Sequence, residues 1–146
     1  MREGRTGDNF VDVDELRALV DDSVPARLLL RTGVSVTRGT FPDSWPAITD
    51  ECARWLVNSG MRLFGVDAPS VDERNSKTLP VHHTLFGSDA FILENLSLSH
   101  VQDGVYELMA QPLSTVGADA APVRALLRRR TAMLDLPRAH LQWVRQ

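Results

Sequence analysis

The sequence predicts an α/β fold in which short strands alternate with short helices. Two observations predict it. Apolar runs of strand length occur at Arg27–Arg31, Arg62–Val66 and Ala90–Leu96, each bounded by glycine, proline or polar residues. Between the first two lies a segment with a helix start signal at Thr49 and a stop signal at Gly60. Strand, helix, strand in that order implies a right-handed crossover and parallel neighbours.

Taken in order, residues Met1–Phe10 are polar and glycine-containing, and are expected to be loosely ordered. Asp12 and Glu15 form a capping pair for a helix over Val13–Asp21, with Val13, Leu16, Leu19 and Val20 on one face. Arg27–Arg31 is expected as a buried strand leading to Gly33. Thr32–Ile48 reads as a long irregular connection carrying Phe41 and Trp45, of the kind that is functional or folded over something.

Thr49 caps a helix over Asp50–Ser59, with Asp50 and Glu51 in its first turn. Cys52 falls on its inner face and reads as a small buried hydrophobe. Leu79–Phe86 makes one or two helical turns closed by Gly87, with Pro80 suited to the first position. Phe91-Ile92-Leu93 reads as a strand buried on both faces. Val105–Leu113 and Pro122–Leu127 are further strands, the second with Val123, Ala125 and Leu127 on one side. Residues 129–146 form a basic extension in which Pro137 starts a terminal helix.

The chain has 146 residues, one domain's worth, with a net charge of -3. That balance gives no reason to expect nucleic acid or an anionic membrane as partner. No apolar run reaches the roughly 18 residues needed to span a bilayer, and the amino terminus does not read as a signal peptide. One cysteine excludes an intrachain disulfide, so a cytoplasmic protein is expected.

The chemistry-bearing residues cluster in Arg62–Asn95. Asp67 and Glu94 each follow an apolar run, and His82 and His83 lie between them. Glu94 after a buried strand needs a cation or good donors, or else the strand ends at Leu93 and the carboxylate meets solvent. Adjacent histidines on a helix point about 100° apart, so only one can face a given site. Asp67, Ser70 and Asp72 occupy a loop at the carboxyl end of a strand, where α/β sheets place ligands. Lys77 precedes the histidines and either caps a pocket, pairing with Asp67 or Asp72, or is simply solvated.

These segments resemble the cyclase family of metal-dependent hydrolases. The resemblance rests on Arg27–Gly33, Phe64–Asp72, Ser76–His82, Ile92–Leu96, Tyr106–Leu108, Ala110–Leu113 and Gly117–Arg124. It implies a truncated swivelling β/β/α fold over residues 11–128, with a mixed sheet and flanking helices. It also implies C–N amide hydrolysis or a related cyclisation of a small-molecule substrate, at a zinc or manganese centre. His82 and Glu94 take the places of two family metal ligands; Asp67, Ser70, Asp72, Lys77 and His83 are possible pocket residues. The family's His-x-Gly-Thr-His-x-Asp motif is absent, because no histidine precedes His82.

Three readings follow. The chain is a subunit of a split enzyme, paired as a homodimer or heteromer with a chain carrying the missing motif. Alternatively, it is a degenerate member kept for binding or assembly. In the third, it has a rebuilt site around Asp67, His82, His83 and Glu94. Trp45, Leu141 and Trp143, with no obvious internal partner, add to the expectation of assembly.

Overall fold

The structure, a computed structural model, describes residues 10–20, 23–36 and 39–129. The expected terminal helix, with Leu141 and Trp143, lies outside the described residues, as do positions 1–9. The chain divides into two compact units, one up to Val101 and one from Gln102.

The first unit begins with strand β1 (Phe10–Val11), so Phe10 is already in regular structure. Helix α1 (Val13–Val20) follows. Its capping pair is reciprocal: Glu15 N–H donates to Asp12 Oδ1 at 2.8 Å, and Asp12 N–H to Glu15 Oε2 at 3.3 Å. Strand β2 (Arg27–Leu30) comes next, then β3 (Ala47–Ile48), a short strand inside what the sequence reads as pure loop. β3 pairs in parallel with β1. Helix α2 (Asp50–Asn58) starts where Thr49 Oγ1 accepts the Cys52 N–H at 3.1 Å.

Strand β4 (Leu63–Val66) is the centre of a three-stranded parallel sheet, flanked by β2 and by β5 (Phe91–Leu93). All four β4 residues are buried. The expected burial of β2 and β5 is not met, because both are edge strands. Arg27 is exposed and Phe91 is 63% exposed, while Leu28–Leu30, Ile92 and Leu93 are half-buried. An apolar run of this length does not encode its place in the sheet.

Between β4 and β5 runs helix α3 (Pro80–Gly87). Val81 and Leu85, four residues apart, share its inner face and are almost fully buried. The core beneath is built from Leu16, Trp45, Ile48, Cys52, Leu56, Phe64 and Val71 together with these two. Trp45 is thus a core residue with an internal partner, contrary to its expected availability for assembly.

The second unit is an antiparallel pair, β6 (Tyr106–Pro112) and β7 (Val123–Arg129), in register from Tyr106 opposite Arg129 to Pro112 opposite Val123. Glu107 accepts from the Arg128 guanidinium across the pair. Alternate β7 residues Val123, Ala125 and Leu127 are half-buried, as the sequence pattern requires. Parallel and antiparallel pairing therefore occur in separate sheets.

Candidate metal centre

The carboxyl ends of β4 and β5 and the amino end of α3 meet at one place, and each brings a functional side chain. Leu79, with φ 44° and ψ 54°, turns the chain sharply into Pro80 and offers no side-chain cap. The cap comes instead from Asp72. Its Oδ1 accepts the Val81 N–H at 3.0 Å and its Oδ2 the His82 N–H at 3.1 Å. A carboxylate here satisfies two orphan donors and faces the positive end of the helix dipole. The same Oδ2 stands 2.6 Å from His82 Nδ1.

The other ring nitrogen faces Glu94. His82 Nε2 lies 3.4 Å from Glu94 Oε1, and that oxygen also accepts the Val71 N–H at 2.9 Å. β5 ends at Leu93, yet Glu94 stays half-buried and turns back over the β4 loop. Main-chain bonds from Asn95 N–H to Ala68 O and from Leu96 N–H to Val66 O fix that turn. The imidazole pKa is pushed up to about 9, chiefly by the Glu94 carboxylate; burial opposes the rise and Asp72 adds to it. The two carboxylates therefore favour the protonated form of the ring.

The remaining predicted residues are placed apart from this pair or behind it. Asp67 is buried, and its oxygens are taken by Thr32 N–H and Oγ1 and by Gly33 N–H at 2.7, 2.7 and 3.0 Å. It ties the β2 end to the β4 end. Ser70 Oγ accepts the Asp72 N–H at 3.2 Å and shapes the loop. His83 and Lys77 are exposed, and among the described residues Lys77 pairs with neither Asp67 nor Asp72. His100 is exposed, and His140 lies outside the described residues. A cavity of about 240 Å³ is lined by Phe10, Ile48, Asp72 and Pro80 among others, and His82 does not line it.

Two contacts escaped sequence reasoning. Trp45 Nε1–H donates to the Asp72 carbonyl at 2.8 Å, and the Phe86 ring lies 5.8 Å from the His82 ring. The spacing of His82 and Phe86, one helical turn, is a signal for the second. No local pattern signals the first, which spans 27 residues.

The family model described as "Putative cyclase" matches residues 2–73. A kynurenine formamidase of Geobacillus thermodenitrificans is 47% identical over 119 residues, covering 82% of this chain and 56% of that protein. One from Bordetella avium is 45% identical over 107 residues, covering 73% and 51%. Among solved structures, a predicted metal-dependent hydrolase from Bacillus stearothermophilus matches with TM-score 0.68 and 30% identity, over 83% of this chain and 58% of that one. A potential metal-dependent hydrolase with cyclase activity matches with TM-score 0.69 and 30% identity, over 85% and 60%.

The chain resembles the cyclase family along most of its length. It spans about half the length of the curated relatives it matches. Its fold, shared with those cyclase-like hydrolases, is a mixed α/β arrangement with three helices among the described residues.

A metal can be tested against the donors of this site. Two donors about 2.1 Å from one tetrahedral ion stand about 3.4 Å apart. His82 Nε2 and Glu94 Oε1 have that separation, and it is longer than an ordinary hydrogen bond. These two residues fit part of a coordination shell. Among the described residues no group of three or more His, Cys, Asp or Glu side chains could hold a metal ion. A catalytic zinc takes about three protein ligands plus water, so the described residues fall short of a full set.

Proposed function

We propose that this chain contributes the His82–Glu94 part of a metal-dependent hydrolase centre that cleaves a C–N amide bond or closes a related ring. The remaining ligands come from a segment outside these 146 residues, carried by a partner subunit with the His-x-Gly-Thr-His-x-Asp motif. The observation that supports this is the 3.4 Å approach of His82 Nε2 to Glu94 Oε1. It holds two donors at a ligand-to-ligand distance in a place where the protein spends buried polar contacts to keep them.

The metal, zinc or manganese, would polarise the amide carbonyl and supply a water of lowered pKa. This chain's own part is to hold one imidazole nitrogen and one carboxylate oxygen in fixed positions. Glu94 is fixed by Val71 N–H and His82 by its seat on α3.

The test mixes the chain with a partner carrying the histidine motif, then measures metal content by elemental analysis and hydrolysis of an N-formyl aryl amine. The mixture should gain both, and Glu94→Gln in this chain should lose both, since the amide keeps the shape without the charge. Stoichiometric zinc and turnover in the lone chain would overturn the partner requirement. A mixture that binds no metal would overturn the hydrolase reading and leave a binding or assembly role.

A further inference from the structure

His82 has two nitrogens, and only an unprotonated one can act as a donor to a cation. The fold contains a device that selects which. Asp72 is 2% exposed, and its two oxygens accept three N–H groups: Val81 main chain, His82 main chain and the His82 ring. The two main-chain donors have no alternative protonation state, so they fix both oxygens as acceptors. An acceptor 2.6 Å from Nδ1 requires the proton to sit on Nδ1. Glu94 Oε1 is an acceptor on the same ground, since it takes the Val71 N–H, but it stands 3.4 Å from Nε2. The shorter contact therefore keeps the proton of the neutral ring on Nδ1 and leaves Nε2 unprotonated.

The Asp72 main chain in turn is held from behind. Trp45 is 4% exposed, and its indole N–H bonds the Asp72 carbonyl at 2.8 Å. Phe41 meets Trp45 edge to face with ring centroids 5.8 Å apart. Arg74 packs over Phe41 and pairs with Asp43 at 2.9 Å, closing the 41–45 loop onto the 72–74 turn. Asp72 therefore has a fixed main chain as well as a fixed side chain.

We propose that Asp72, anchored by Trp45, is the positioning residue that sets the His82 tautomer and presents Nε2 as the donor atom. Asp72 touches no reacting group; it acts through His82. The inference concerns this chain's own ring, so it stands or falls without any metal being bound.

Alanine at position 72 makes the sharpest test. It removes the acceptor beside Nδ1 and leaves Glu94 Oε1, 3.4 Å from Nε2, as the carboxylate facing the ring. The neutral ring should then carry its proton on Nε2.

The experiment is nitrogen-15 correlation NMR of the histidine side chains in the full chain, at alkaline pH where the ring is neutral. The His82 resonance is assigned as the one that His82→Gln removes. In the unaltered chain the Nδ1–H form should dominate by at least about tenfold, the weight of one hydrogen bond to a charged group. Asp72→Ala should invert the ratio while His83 and His100 keep theirs. A predominant Nε2–H form in the unaltered chain overturns the proposal, as does an unchanged ratio in a folded Asp72→Ala chain. Should Asp72→Ala not fold, Trp45→Phe keeps most of the ring volume but removes the indole donor. It should speed exchange of the His82 Nδ1 proton with water several-fold; an unchanged exchange rate overturns the anchored arrangement proposed here.

Discussion

Asp67 grips Thr32 twice through one oxygen, with Oδ1 2.7 Å from the main-chain nitrogen and 2.7 Å from Oγ1, while Oδ2 takes the Gly33 N–H at 3.0 Å. This joins the ends of two parallel neighbours, β2 and β4, at the sheet's functional edge. Asp67→Asn substitutes a donor where all three partners donate. We expect a loss of about 2–3 kcal/mol in unfolding free energy, the cost of breaking charge-assisted bonds in a buried place. Urea denaturation followed by tryptophan fluorescence reads this directly, and a change under 0.5 kcal/mol would refute the clamp, as surface substitutions stay within about that range.

Gly65 lies in the central strand with no room beside it. A Cβ there would come 2.4 Å from Leu29 Cδ2 and 2.9 Å from Leu96 Cδ1. Both obstacles are ends of leucine side chains, which can turn aside at the expense of their own packing. Gly65→Ala should therefore cost about 1–3 kcal/mol, the usual range for overpacking. Thermal melting would show it, and an unshifted or raised melting temperature would contradict the close approach.

Cys52 is fully buried on α2, and its thiol pKa is pushed up to about 12, by burial first and then by Asp12 and Glu51. A thiol in that state is a poor nucleophile. Iodoacetamide at pH 8 should label the folded chain only at the rate of its unfolding, and labelling should become fast in urea. Rapid stoichiometric labelling of the native protein would show an accessible thiolate instead.

The His82 imidazole gives the metal-free chain a definite pH dependence. Its folded-state pKa of about 9 lies above the ordinary 6.5, so its protonated form stabilises the fold. That contribution is fully present below pH 6.5 and is lost as the pH rises through about 9. Solvent screening trims it, since the side chain is 21% exposed. The urea midpoint should fall between those pH values more steeply in the unaltered chain than in His82→Gln. Parallel curves would show that the two carboxylates do not act on the ring.

Much of this protein was determined locally. Asp12 with Glu15, Thr49 before Asp50, and Pro80 at the head of α3 act on donors within a few residues, so their signals lie close together in sequence. The β7 alternation was legible for the same reason, since side-chain direction in a strand has a period of two. Resemblance singled out His82 and Glu94, and the fold brings their side chains together.

Tertiary structure decided the rest. An apolar run carries no mark of sheet order, so only the fold made β4 central and left Phe91 at an edge. Asp67, Ser70 and Asp72 look alike as polar loop residues, and it was their distant partners that separated them. Asp67 went to Thr32, 35 residues away, and Asp72 to the amino end of α3 and the His82 ring. Trp45 became an anchor because its indole met a carbonyl 27 residues further along. A buried polar group must find a partner wherever the chain brings one, and sequence distance does not limit that choice.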